Sequence, residues 1–599
     1  MTHKTPITAT ASPATLAPPH EPLAAPLNRR DVDDIFRAFQ ALSDEIDTLK
    51  PEAWETLDDD VRLAELSDRI GALTLERIDL FNNPAGRREA LEAFFDAQHT
   101  GQDPIMREYF RWFALTAYAP REESRLFQEE AAQMEKKFAD FEATKTASGN
   151  AAGWQAQAAE LEKMFDLRRA LATPAAHVMG IAPSEVTLDT WNPHMRNADV
   201  DEMIRELAAM KPLLHSFFAG KIDATKQDKP LDIPPIDAEH EEAIKDMFTR
   251  LRAAIMEQAG WPQERLEREG ITVHPIQFGP NGYSWGAPKD MRMGVEYVDG
   301  NFLRGIGILI HETGHLLYML SRNEAPEAIK GTPAGHINGY STHEMAAMTL
   351  EQAATKAGFA AALVPLLKDT LPQIVLDENG ALKPEWTEQN LARQFTHQDH
   401  GDTYWCASEI ALIPNMIWRT LAERNILDNT MSVAELPQFW ADTMEEWTGR
   451  PHDPSDFELG ESHWLDDNAG YFWAYQFGAI AASMSHAVIA TAQDNAPAPS
   501  LADGFNATSA KKGGVHDSVK QAASYFTPYI DFLKTHVFDA HCLKTPQQIL
   551  NGMSANPEER YKAYQSYCET MMGMGDKGQR NGVRPAMRAS ATTTKTNGQ

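Results

Sequence analysis

Apolar residues in the first third of this chain recur at spacings of four and three. Phe127, Ala131, Met134, Phe138 and Phe141 form one row, and Trp154, Ala158, Leu161 and Phe165 form a second. Residues so spaced share one face of an α-helix, so both rows predict long amphipathic helices. A coiled-coil seam and packing inside one domain both suit such rows; the heptads do not persist, which favours packing. A denser run, Ile306-Gly307-Ile308-Leu309-Ile310, with Leu316-Leu317-Tyr318 a little further on, predicts a buried helix. From Ser321 to Thr342, Pro326, Gly331, Pro333, Gly335 and Gly339 break any periodicity and predict a loop, after which His343 to Gln352 opens another helix. Short strands are expected only near Ile271–Phe278 and Arg292–Val298, just ahead of the buried helix. Asp494 to Gly514, rich in Ala, Pro, Ser and Gly, reads as a loop insertion. The expected fold is mainly α, with a deep cleft and a small β-sheet beside the buried helix.

Composition narrows the class. At 599 residues and 43% hydrophobic, the chain can bury a large core. A formal net charge of −31 argues against nucleic acid or an anionic membrane as partner. No apolar run reaches the ~18 residues that a membrane span needs. Three cysteines, Cys406, Cys542 and Cys568, imply no disulfide framework. Residues 1–30, rich in Thr, Ala and Pro, lack an apolar signal core and read as a disordered tail, as do residues 573–599. The expected compartment is the cytoplasm.

The chemistry lies between the two apolar runs, in His311-Glu312-Thr313-Gly314-His315. On a helix His311 and His315 share a face and can point at one ion. Glu312, rotated by about 100°, can reach the attacking water instead and act as base. A catalytic zinc site needs a third ligand and one open position. Glu344, one loop further on, is the candidate, completing a set of two histidines and a glutamate; His343 and Glu351 compete, and Glu351 would also suit a supporting role. His463, Tyr471 and Tyr475 are candidate donors to the oxyanion that forms opposite the ion. Two histidines and a glutamate are similar to the thermolysin-like ligand set, and that likeness implies an edge strand ahead of the histidine helix that binds an extended substrate backbone by strand addition.

Several ordered motifs resemble the carboxypeptidase Taq family of zinc metallocarboxypeptidases. They are His274-Pro275-Ile276, Asp290-Met291-Arg292-Met293-Gly294, the zinc helix, Gly331-Thr332-Pro333 with His343-Glu344, Glu435 to Trp440, and His463-Trp464 through Gly470 to Gly478. The similarity runs from about Trp191 to Met572, so residues 31–190 form an N-terminal helical region and 191–572 a metallopeptidase catalytic region. The resemblance implies one Zn2+ per chain (Co2+ or Mn2+ as alternatives), a peptide substrate, release of C-terminal residues and a homodimer. An oligopeptidase cutting internally, or a catalytically silent peptide-binding scaffold, are the other readings. Ile276 and Gly294 replace a Phe and a Thr of the family, Met345-Ala346 stand where Ser-Gln or Gly-Gln is usual, and Gly460-Glu461 replace Gln-Asp. Tyr404 stands where the family has an arginine thought to recognise the substrate carboxylate. Arg292 and His274 are the candidate substrate-binding residues, and Arg419, placed mid-helix and expected to face solvent, is the weaker alternative cation.

Overall fold

The computed structural model describes residues 26–55, 60–97, 103–148, 150–222, 231, 233, 236–279, 282–297, 301–336, 339–396, 409–457, 463–464, 468–495, 515–539 and 544–572. All but the first two residues of the Asp494–Gly514 insertion, the segment holding Tyr404, and most of both expected tails lie outside these residues. Helices build nearly everything described. The predicted amphipathic rows fall on the helices Arg121–Ser148 and Asn150–Met179, which pack against each other. Phe127, Phe141, Leu161 and Phe165 are buried in the same core as the Phe302–Ser321 helix, so the rows serve packing within the fold. Each such side chain contributes about 1.5–3 kcal/mol on burial. A smaller core gathers Phe36, Phe39, Phe81, Tyr109 and Phe113, with the Phe36 and Tyr109 rings stacked at 4.1 Å.

Among the described residues one sheet forms, of four short strands: β1 (Thr272–Val273), β2 (Gln277–Gly279), β3 (Tyr283–Ala287) and β4 (Asp290–Glu296). β1 and β2 pair in parallel with β4, and β3 pairs antiparallel with it, placing Trp285 opposite Arg292 and Tyr283 opposite Gly294. Alternation along β4 sends Met291, Met293 and Val295 into the core. β3 lies outside the two stretches, Ile271–Phe278 and Arg292–Val298, where the sequence predicts strands. Gly286 sits at φ 135°, and a Cβ on it would lie 2.1 Å from the Asp290 carbonyl oxygen, so only glycine fits the tight β3–β4 return. Across the ladder the Tyr283 ring fills the space of any Gly294 side chain, which accounts for the departure at Gly294.

Three helices carry the candidate site: Phe302–Ser321 (the histidine helix), Gly339–Ala354 (the glutamate helix) and Phe472–Asn495 (the tyrosine helix). Asn301 caps the first by accepting from the Arg304 N–H at 3.3 Å. The glutamate helix begins at Gly339 rather than His343, and short 3₁₀ turns at Arg322–Glu324 and Pro333–His336 occupy the expected loop. The glutamate helix is clamped between two glycines. A Cβ on Gly314 would lie 2.5 Å from Ala347 Cα, and one on Gly478 would lie 2.6 Å from Glu344 Cβ. Close backbone approach on both sides fixes where Glu344 stands relative to the two histidines.

Candidate metal centre and active site

The histidine helix presents His311 and His315 on one face, as their spacing requires, with ring centroids 4.7 Å apart. Glu344 meets both from the neighbouring helix. Its Oε2 lies 3.7 Å from His311 Nε2, and its Oε1 lies 3.7 Å from His315 Nε2. The two competitors, Glu351 and His343, stand differently. Glu351 binds His311 Nδ1 at 2.7 Å, on the ring edge away from Glu344. This contact fixes the tautomer and leaves Nε2 for an ion. His343 stacks its ring on His315 at 4.0 Å between centroids, close enough that His315, His343 and Glu344 form a second group of clustered donor atoms.

Burial governs the electrostatics. It works against a charge on His311, but Glu351, Glu312 and Glu344 overcome it and hold the imidazole up to about 10. Burial pushes the Glu312 and Glu344 carboxyls up to about 7 each, with His311 pulling the other way. Burial also drives His315 well below its ordinary value and His343 down to about 3. Three carboxyls crowd one protonatable imidazole, and a divalent cation would supply the positive charge that favours their ionised form. The buried oxygens Glu344 Oε2 and Glu312 Oε2 accept no hydrogen bond. Two imidazoles and a carboxylate with a spare acceptor atom fit a zinc-type ion.

The tyrosine helix closes the site from the other side and divides the aromatic candidates. Tyr471 donates to Glu344 Oε1 at 2.5 Å, so its hydroxyl orients the carboxylate. The Tyr475 hydroxyl lies 3.4 Å from His463 Nε2. A polar framework that the sequence reading missed holds this segment in place. Glu423 accepts from Trp464 Nε1 at 2.6 Å and from the Gly470 N–H at 3.0 Å. Asn192 donates to the Gly470 carbonyl at 3.0 Å and accepts from Ser341 Oγ on the glutamate helix. Ser284 of β3 donates to the Glu312 backbone carbonyl at 3.0 Å, tying the strand to the histidine helix. Tyr340, also missed, packs against His343 and Tyr471.

The substrate-binding candidates His274 and Arg292 both stand near Asp290 in the sheet. His274 Nε2 contacts Asp290 Oδ1 at 2.9 Å, and Arg292 Nε lies 3.9 Å from the same oxygen, on the sheet face away from the buried Met291 and Met293. Arg419 does not face solvent as expected. It is 2% exposed, donates to Asn415 Oδ1 at 2.7 Å and stacks on Trp418. An Asn one turn earlier and adjoining aromatic rings supply enough partners to bury a guanidinium.

Known proteins resemble this chain in sequence and in fold. The family model described as carboxypeptidase Taq (M32) metallopeptidase matches residues 87–572, starting well before the Trp191 at which the motifs begin. A thermostable carboxypeptidase 1 of Pyrococcus furiosus is 26% identical over 329 residues, spanning 54% of this chain and 60% of that relative. One from Thermus thermophilus is 24% identical over 306 residues, 50% of this chain and 54% of the relative. The aligned stretches thus cover little more than half of these relatives. Among solved structures, a Trypanosoma cruzi metallocarboxypeptidase 1 superposes with a TM-score of 0.69 at 17% identity, covering 91% of this chain and 99% of the other. A Pyrococcus furiosus carboxypeptidase gives 0.67 at 19%, with the same coverage.

Proposed function

The chain belongs to the carboxypeptidase Taq family of metallopeptidases, and on that premise we propose that it is a zinc-dependent carboxypeptidase that hydrolyses the last peptide bond of its substrates. The observation that carries this reading is Glu344 standing 3.7 Å from both imidazole Nε2 atoms, beside the partnerless Glu312 Oε2. His311, His315 and Glu344 would hold one Zn2+ per chain, with Co2+ or Mn2+ as substitutes. Such an ion, when bound, would polarise the scissile carbonyl and acidify the attacking water. Glu312 takes the proton of that water and passes it to the leaving amine. His463 and Tyr475 donate to the oxyanion of the tetrahedral intermediate. Tyr471 and Glu351 position the ligands Glu344 and His311.

Mass spectrometry of the products from a mixed peptide library tests the reading. C-terminal ladders are expected. Internal cuts would replace it with an oligopeptidase, the alternative that Tyr404 raises, and an absence of products would make the protein a peptide-binding scaffold.

A further inference from the structure

The Pro183–Trp191 helix supplies none of the proposed ligands or oxyanion donors, yet it ends against both elements that carry Glu344 and Tyr471. Asn192 stands at its C-cap with a side chain that is 0% exposed. Nδ2 donates to the Gly470 carbonyl at 3.0 Å, and Oδ1 accepts from Ser341 Oγ. A carbonyl oxygen only accepts, so Gly470 dictates which way round the amide sits. Gly470 immediately precedes Tyr471, whose hydroxyl donates to Glu344 Oε1 at 2.5 Å. Ser341 lies one helical turn before Glu344 on the glutamate helix.

Building on the metal-centre reading above, we infer that Asn192 is a positioning residue for the ion. One buried amide fixes Glu344 from two directions, through the backbone of its own helix and through the hydroxyl of Tyr471. The Gly470 peptide is gripped on both edges, since Glu423 accepts its N–H at 3.0 Å while Asn192 donates to its carbonyl. The surrounding backbone leaves little slack. A Cβ on Gly470 would lie 2.5 Å from the Thr187 carbonyl oxygen, and one on Gly339 would lie 2.1 Å from Pro193 Cδ. The glycine ahead of the tyrosine helix and the glycine that starts the glutamate helix thus nest against one stretch, Thr187–Pro193. Trp191 adds edge contacts to the rings of Tyr340 and Tyr471, with centroids 4.8 and 5.4 Å away. Any shift of this turn therefore moves both arms that reach Glu344.

The turn is itself held from behind. Asp189 Oδ1 accepts from the His194 N–H at 2.9 Å, and its Oδ2 accepts from Arg111 Nη1 at 3.0 Å. His194 has φ 64°, in the left-handed region that a residue with a Cβ seldom adopts. Its N–H bond to Asp189 and its ring, with Nε2 3.3 Å from Glu108 Oε2, keep it there. Asn192 is therefore presented by a turn that buried charges fix on its far side, and not by a loose loop. Partners of this kind behind a metal ligand tune affinity for the ion by holding the ligand where the ion needs it.

The test reads zinc affinity per folded molecule, by competition with a chromophoric chelator, in native protein, Asn192→Ala, Tyr471→Phe and the double variant. Asn192→Ala should weaken zinc binding by about 10–100-fold. Added to Tyr471→Phe, it should weaken binding by a clearly smaller factor, because one of its two arms is already cut. Ser341→Ala cuts only the other arm, so it should weaken binding by the same factor with or without Tyr471→Phe. A residue that merely stabilised the fold would lower the thermal midpoint of the metal-free protein and leave affinity per folded molecule unchanged. Native affinity in Asn192→Ala, or an equal loss in both backgrounds, overturns the inference. Should Asn192→Ala fail to fold, Ser341→Ala decides, and native affinity in that variant overturns it. Chelator competition involves no turnover, so the result holds whichever bond the protein cuts. Native protein that takes up no zinc would instead sink the metal-centre reading itself.

Discussion

Glu351 holds the Nδ1 edge of His311, and that contact fixes which ring nitrogen faces Glu344. Glu351→Gln should therefore weaken metal binding by about 10–100-fold without abolishing it. His311→Ala and His315→Ala should release the metal altogether. Metal analysis after dialysis against a graded chelator separates the three, and unchanged retention in His311→Ala would remove it from the ligand set. The two tyrosines should diverge as well. Tyr475→Phe and His463→Ala should lower kcat by about 10²–10³ with little change in KM, because in the proposed mechanism their bonds form with the oxyanion. Tyr471→Phe should act on the metal through Glu344, so its defect should recede when excess zinc is supplied. A zinc-independent fall in kcat for Tyr471→Phe, with Tyr475→Phe unaffected, would exchange the two roles. At this scale the helix period made His311, His315 and Glu312 legible in the sequence, and Glu344 followed from the need for a third ligand. Glu423, Asn192 and Ser341 were illegible because each meets its partner only through tertiary packing, and no local period links residue 192 to residue 470.

Among the elements, the clamp on the glutamate helix is the most exacting. Gly314→Ala should push the histidine and glutamate helices apart and cost at least about 1–3 kcal/mol. Gly307 lies in the same helix with nothing within 4 Å of an added Cβ, so Gly307→Ala should be neutral or stabilise by up to about 1 kcal/mol. Thermal unfolding of the two variants makes the comparison: equal midpoints would show that the clamp has slack. The long helices were legible because their apolar rows survive over several turns. β3 was not, since Tyr-Ser-Trp-Gly-Ala carries a glycine, a poor strand former, that the structure uses for a tight return. The departure at Gly294 became intelligible only with the Tyr283 ring lying over it.

Across the whole molecule, a buried ion network joins the Pro104–Ala117 helix to the Pro183–Trp191 helix. Arg111 Nε donates to Glu108 Oε1 at 3.0 Å and Nη1 to Asp189 Oδ2 at 3.0 Å, with all three side chains at most 2% exposed. Burial would raise the Glu108 carboxyl, but Arg111 and His194 reverse this and lower it to about 2. Because the folded value lies below the ordinary 4.5, the stability it contributes is complete above that pH and is lost as pH falls toward 2. Glu108→Gln should be less stable at neutral pH by about 3–5 kcal/mol and should show a shallower loss of stability across that acid range. Urea unfolding from pH 7 to pH 3 would check it, and parallel pH profiles for the two proteins would contradict it.

The central claim is that this buried site cleaves C-terminal residues with Glu312 as base. The most direct test follows products by mass spectrometry from one peptide, as free acid and as amide, with native protein and with Glu312→Gln at matched metal content. The account predicts single-residue release from the acid, little from the amide, and a fall of at least about 10²-fold in the variant while one metal per chain remains bound. Native-rate release by Glu312→Gln, or equal cutting of acid and amide, would contradict it.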